Sequence, residues 1–418
     1  MTGAEGSAGR RVLYVTNGYP FPLTSGYLRH YFLIGELAGA GYRVILLSIV
    51  GADHRPEHAA AMAAITERTE VFRSLDRAPG TRRRIMRKVG RMLRGRGGDL
   101  AAVQLAARVA EIVRTEPIDA VVFSGKRTDR VLVELGDLPV VVDMCDATSV
   151  RLVREASIAT PARRVVLALQ GRQVRQTERR MLDRGDRLLF ASTRDEEALL
   201  PRRGDPRCAV VPNGIDLDQW SRSGRSLGRD TIVFTGAMSY GPNVDAAVRL
   251  ARSILPIVRQ SSPAAQLTIV GRDPTSQVVA LGSLPGVTVT GFVDDVRPYL
   301  EAASVFAAPL RFGAGIQNKV LEAMSMEVPV VASGVAADGL RTADGATPPI
   351  VVAETDEAVA AAVVVALGRA ATDPTPDQAA RDYVARHFSW QRSGQQLAAL
   401  IEAAIADRTE GRAPRGQP

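Results

Sequence analysis

Three observations predict an α/β chain built from two Rossmann-like, doubly wound parallel sheets facing a cleft. Short apolar runs alternate with helix-compatible stretches, the second half repeats the rhythm of the first, and a glycine-rich loop opens a helix near residue 318. Continuously apolar strands set between helices belong to a parallel sheet covered on both faces. At 418 residues the chain also exceeds what one core usually organises, which agrees with two domains.

RVLYVTN, from Arg11 to Asn17, reads as the first strand; turn-rich GYPFPLTSG follows it, then a helix that ends near Gly41. RVILLSIV, DAVVFSG, PVVVDM and RLLFAS continue the alternation. The first turn does not spell GxGxxG, so the usual dinucleotide fingerprint is absent. CAVVPNGID, Cys208 to Asp216, takes a strand into a turn and then into polar SRSGRSLGRD, which marks a crossing between domains. TIVFTGA, AQLTIVG, VTVTG, SVFAAPL, PVVAS and PPIVVAE supply the second sheet, interleaved with helices such as NVDAAVRLARSILPIVRQ.

The stretch RFGAGIQNKVLEAMSMEVPVVAS, Arg311 to Ser333, carries the strongest chemical signal. Gly313 and Gly315 permit backbone angles closed to other residues, so the amides of Gly315, Ile316, Gln317 and Asn318 converge on an anion at a helix N-terminus, where the helix dipole adds favourable charge. Ile316, Val320, Ala323 and Met324 fall on one apolar face, while Asn318, Glu322 and Ser325 fall on another that looks into a cleft. On that reading Glu322 accepts hydrogen bonds from a ribose and Lys319 approaches phosphate oxygens. The plainer reading is a surface Lys319–Glu322 pair on a packing helix.

In a parallel sheet, loops at the strand C-termini bind ligands, which picks out Ser25, Gly26, Arg29 and His30, then Ser124 to Arg127, then Asp143 and Asp146. Gly26 also suits a plain helix start and Arg29 a solvated side chain. His30, beside Tyr31 and Phe32, reads as a hydrogen-bonded, semi-buried ring before it reads as a catalyst. Asp146 with Ser149 reads as a helix N-cap.

The 311–333 stretch resembles the donor-binding region of the retaining GT-B glycosyltransferases of family 4, and within them the branch associated with bacterial exopolysaccharide synthesis, whose loop reads like GxGIQNKVLEAM. The resemblance implies a donor site on the second half, an acceptor site on the first and catalysis in the cleft. It divides the chain into residues 1–205 (acceptor side), 206–385 (nucleotide-sugar side), 386–407 (a helix crossing back to the first domain) and 408–418 (a disordered tail). It implies that Ser25 and Gly26 approach the donor phosphates, that Gly291, Phe292 and Val293 meet the base, and that Asp143 lies near the acceptor hydroxyl. Two departures stand out: Ala314 replaces a loop acid, and Ala237 and Pro242 replace an arginine and a lysine in GAMSYGPNVDAA. Lys319 is then the leading group to stabilise the departing diphosphate, with Arg311 and Arg29 behind it. The implied reaction moves a sugar from a UDP- or GDP-sugar to a hydroxyl of a polysaccharide, lipid-linked or small-molecule acceptor, with retention, no cofactor and no metal ion. A nucleotide-sugar epimerase and a non-catalytic partner protein of the same fold are the rival readings.

Composition bounds the rest. Cys145 and Cys208 form neither a disulfide framework nor a metal-ligand spacing, and a reducing cytoplasm suits them. No apolar run approaches the roughly 20 residues of a membrane span. The net charge of +8 gathers in RAPGTRRRIMRKVGRMLRGRGG. Residues 77–98 suit peripheral attachment to an anionic membrane surface at the inner face of the cell membrane, and equally a solvated helix face. Nucleic-acid binding is not supported, because no recognition motif accompanies the charge.

Overall fold

The computed structural model describes residues 9–23, 27–51, 54–55, 57–74, 100–200, 204–224 and 226–411. Ser25, Gly26 and the basic stretch 77–98 therefore lie outside the described residues. Two parallel sheets dominate. The first has the order β3-β2-β1-β4-β5-β6-β7, with β1 Arg11–Thr16, β2 Arg43–Val50, β3 Arg68–Arg73, β4 Ala120–Ser124, β5 Val140–Cys145, β6 Arg187–Phe190 and β7 Cys208–Val210. The second has the order β10-β9-β8-β11-β12-β13, with β8 Thr231–Thr235, β9 Gln266–Val270, β10 Val287–Val289, β11 Val305–Ala308, β12 Val330–Ala332 and β13 Val351–Val352. Strand order reverses between β1 and β4 and again between β8 and β11, and such switch points open a crevice at the strand carboxyl ends.

The central strands are apolar throughout because both of their faces are covered. In β1, Leu13 and Val15 enter one core while Val12 and Tyr14 enter the core on the opposite face. β3, with the sequence RTEVFR, lacks such a run and escapes the reading above. It is an edge strand whose polar residues pair outward: Arg68 with Glu116 at 2.8 Å, and Glu70 with Arg108 at 2.8 Å.

Three boundaries shift. β7 pairs with β6, so the first sheet runs to Val210, past the limit expected at residue 205. NVDAAVRLARSILPIVRQ is helical but interrupted: a π turn at Leu250–Ile254 separates the α-helix Gly241–Arg249 from Leu255–Ser261. Pro256 has no N–H to give to the preceding turn, and the wider turn before it takes up the change of register. The closing helix Trp390–Thr409 extends beyond residue 407, into the stretch expected to be a tail. That helix lies on the first domain, where Leu397, Ile401 and Ala404 share a core with Val12, Tyr14 and Leu33. Trp390 stacks on Phe32 with ring centres 4.6 Å apart.

Candidate active site

The loop that follows β11 leads into the helix Asn318–Ser325, at one strand of the second switch point. Gly315 in that loop has φ +67°, a left-handed angle that a side chain would strain. The amides of Ile316, Gln317, Asn318 and Lys319 find no acceptor among the described residues, as the first turn of a helix leaves them. Gly315 departs from expectation. Its N–H donates to the carboxylate of Asp195 from the facing domain at 3.1 Å, and Arg194 donates to its carbonyl at 3.0 Å. A carboxylate in that place satisfies the donor and repels an anion, so the phosphate-directed set narrows to Ile316, Gln317, Asn318 and Lys319.

Val320, Ala323 and Met324 are buried, as the periodicity requires. Ser325, assigned to the cleft face, is buried as well, because its backbone packs towards the helix Gln378–His387 and its carbonyl accepts from Arg381. Lys319 and Glu322 do not form the surface pair that their spacing allows. The Lys319 ammonium donates to Asn243 Oδ1 at 2.8 Å and Gln317 Oε1 at 3.2 Å, and lies 5.7 Å from the centre of the Phe234 ring. The Glu322 carboxylate has no hydrogen-bond partner among the described residues. Both side chains keep part of their surface open. The surrounding protein nevertheless lowers Lys319 to a pKa of about 8, with Glu322 acting weakly in the other direction. Burial likewise raises Glu322 to about 7 against the pull of Lys319. Two poorly solvated charges without full counter-ions are poised to meet a ligand's charge and hydroxyl donors.

Across the cleft, Arg29 donates through Nε to Asp143 Oδ2 at 2.9 Å and through Nη1 to Asn213 Oδ1 at 2.9 Å. Asn213 in turn donates to Asn318 Oδ1 at 2.8 Å. This string runs from the end of β5, through the helix Leu28–Gly39 and the turn between the sheets, to the first residue of the helix Asn318–Ser325. The structure thus brings Arg29 and Asp143 to one another. The second oxygen of Asp143 accepts the Cys145 N–H at 3.0 Å, and none of its side chain is exposed. Burial alone would raise its pKa, but Arg29 and the hydrogen bonds outweigh that and hold it below the usual carboxylate range. Arg29 keeps one buried nitrogen, Nη2, without a partner.

His30 is the buried, bonded ring that its neighbours suggested. Its Nδ1 lies 3.0 Å from the Tyr14 hydroxyl, and burial lowers its pKa to about 4, so the imidazole is neutral. Asp146 is not an N-cap. The helix Thr148–Ser157 starts on Ala147 without a side-chain cap, and Asp146 instead pairs with Lys126 at 2.6 Å.

Comparison with known proteins places this geometry. Residues 229–369, all within the second half, match the family described as Glycosyl transferases group 1. No curated protein matches the chain in sequence. Among solved structures, HepE of Anabaena in complex with UDP is 14% identical, with 94% of this chain and 100% of that chain covered and a TM-score of 0.61. Sucrose-phosphate synthase of Thermosynechococcus elongatus is 15% identical, with 95% and 99% covered and a TM-score of 0.67. A glycosyltransferase of Rickettsia africae is 12% identical, with 95% and 99% covered and a TM-score of 0.63. The fold is GT-B. Identities this low speak to the fold alone.

In the GT-B cleft, Gly236, Gly271 and Gly291 follow β8, β9 and β10 along one sheet edge. A Cβ on Gly236 would fall 2.5 Å from Asn243 Nδ2 and 3.3 Å from Lys319 Cε, so glycine there lets the lysine lie against the strand end. Gly291 has φ +72°, and its carbonyl accepts from Gly271 N–H at 3.1 Å and Thr290 Oγ1 at 2.9 Å. Phe292 stands 63% exposed, while Val293 packs on the second core. Arg311 is held by Asp245, whereas the Lys319 ammonium has no carboxylate partner among the described residues. Among the described residues no cluster of three or more His, Cys, Asp or Glu side chains is arranged to hold a metal ion.

Four site residues escaped sequence reasoning: Arg194, Asp195, Asn213 and Asn243. Ser192 and Asp195 do show the spacing of an N-cap and its third helical residue, and the Ser192 side chain accepts from Asp195 N–H. Asn213 and Asn243 lie in PNGID and GPNVD and read there as turn residues. Their partners Asn318 and Lys319 are 105 and 76 residues away, a relationship only the fold supplies.

Proposed function

We propose that this chain is a group 1 glycosyltransferase of family 4, of the exopolysaccharide-associated branch, that transfers a sugar with retention from a nucleoside-diphosphate sugar to a hydroxyl acceptor. One observation carries the reading: the amides of Ile316, Gln317 and Asn318, without an acceptor among the described residues, and the Lys319 ammonium lie at one helix start, with an unpartnered Glu322 carboxylate one turn on. Diphosphate oxygens suit the first group, and ribose hydroxyls suit the second. The match over residues 229–369 supports the class, and a neighbour of the same fold that binds UDP and UDP-glucose supports a UDP-sugar ahead of a GDP-sugar.

In the proposed reaction the bond from the anomeric carbon to the phosphate oxygen breaks. The acceptor oxygen bonds to the same face of that carbon, and its proton passes to the leaving phosphate. No side-chain base is required. Lys319 and the amides meet the negative charge that grows on the diphosphate, in place of a metal ion and of the arginine and lysine absent at Ala237 and Pro242. Ser25 and Gly26 approach the phosphates from the first domain, and the backbone of Gly291, Phe292 and Val293 meets the base. Arg29 and Asp143 position the cleft rather than touch the reacting atoms. The acceptor is a polysaccharide, lipid-linked or small-molecule hydroxyl, and the protein works in the cytoplasm. Incubation with UDP- and GDP-sugars and an acceptor pool tests this. Free nucleotide together with a glycosylated product is expected; an epimerised donor, or neither hydrolysis nor transfer, contradicts it.

A further inference from the structure

The helix Pro161–Arg184 carries two apolar stripes, and only one of them is buried. Leu167, Gly171 and Met181 face into the first domain. Ala162, Val165, Val166 and Leu169 repeat at the spacing of a second helical face, and all four are exposed, Val165 by 63%. Val153 and Ile158, beside the start of this helix, are exposed as well. A contiguous apolar stripe open to water marks a surface that something covers.

Charge identifies the occupant. From Ala156 to Thr177 the chain has four arginines and neither Asp nor Glu. Arg163 is paired with Glu155, but Arg154, Arg172, Arg175 and Arg179 have no acidic partner among the described residues. An apolar stripe bordered by arginines suits a helix lying in the plane of an anionic bilayer, with its aliphatic side chains among the acyl chains and its guanidinium groups on lipid phosphates. A second copy of this chain would set arginines against arginines across a two-fold contact.

We infer that the N-terminal half of the helix Pro161–Arg184 is a docking surface for an anionic lipid bilayer. The helix Thr148–Ser157 connects this surface to the cleft. At its cleft end the Ala147 N–H donates to Asp195, and Arg151 lies over the Tyr240 ring of the second domain. The inference uses none of residues 77–98 and does not depend on the donor reading.

Sedimentation of the full chain with phosphatidylcholine vesicles, with and without phosphatidylglycerol, tests the inference. Binding is expected only to vesicles containing phosphatidylglycerol. The double variant Arg172→Gln/Arg175→Gln should weaken it roughly fivefold per arginine. Val165→Gln/Leu169→Gln should abolish it while far-UV dichroism and the thermal midpoint are unchanged. Binding retained in both variants, equal binding to neutral vesicles, or no binding by the unaltered chain overturns the inference. So does a self-association that disappears in Val165→Gln/Leu169→Gln, which would assign the face to a second copy.

Discussion

Arg29 and Asp143 meet at 2.9 Å with almost no surface exposed on either side chain, and this pair is bound to the donor-side helix through Asn213 and Asn318. Removing one partner of a buried ion pair leaves the other charge uncompensated, at a cost of about 3–5 kcal/mol. Asp143→Ala is expected to lower the unfolding free energy by that amount in a urea titration. Unchanged stability with lost turnover would instead place Asp143 on the substrate.

Lys319→Ala should depress kcat roughly 100- to 1,000-fold, the usual loss for one preorganised group at a developing negative charge. Its effect on UDP affinity should be smaller, because the charge on the diphosphate is greatest as the bond to the sugar breaks. Single-turnover kinetics separate the two, and unchanged turnover removes Lys319 from the mechanism.

Glu322→Ala removes an ionised acceptor aimed at ribose hydroxyls. Hydrogen bonds to charged groups contribute about 1.5–3 kcal/mol, so UDP binding measured by calorimetry should weaken by a corresponding factor. Equal affinity in the variant would put the ribose elsewhere.

The same two residues set a pH window. Lys319 at about 8 lies below the free value of 10.5, so its charge is disfavoured in the folded protein below about pH 8 and that cost is gone above 10.5. Glu322 at about 7 lies above 4.5, so its charge is disfavoured above about pH 7 and that cost is gone below 4.5. A bound diphosphate favours the ammonium and raises its pKa. UDP binding near pH 8 should therefore take up a fraction of a proton, at most about half because Lys319 is already half protonated there, and affinity should fall above about 8 as Lys319 deprotonates and below about 7 as Glu322 is neutralised. Calorimetry in buffers of different ionisation enthalpy detects that uptake; an enthalpy independent of buffer at pH 8 would contradict the assignment.

The parallel strands were legible because their burial on both faces demands unbroken apolar runs, as in RVILLSIV and PVVVDM. β3 was not, since an edge strand spends its outer positions on Arg68 and Glu70. The glycine loop and the helix Asn318–Ser325 were legible from local pattern, because Gly315 at positive φ and a 3.6-residue period are properties of adjacent residues. What occupies each polar group was not. Asp195 reaches the Gly315 amide from 120 residues away, Arg29 reaches Asp143 from 114, and nothing local distinguishes such partners from solvated side chains.

A crystal structure of the protein with UDP is the most direct test of the donor site. The diphosphate is expected within hydrogen-bond distance of the Ile316, Gln317 and Asn318 amides and the Lys319 ammonium, with ribose hydroxyls on Glu322. A nucleotide bound elsewhere, with those amides facing protein side chains, would contradict it.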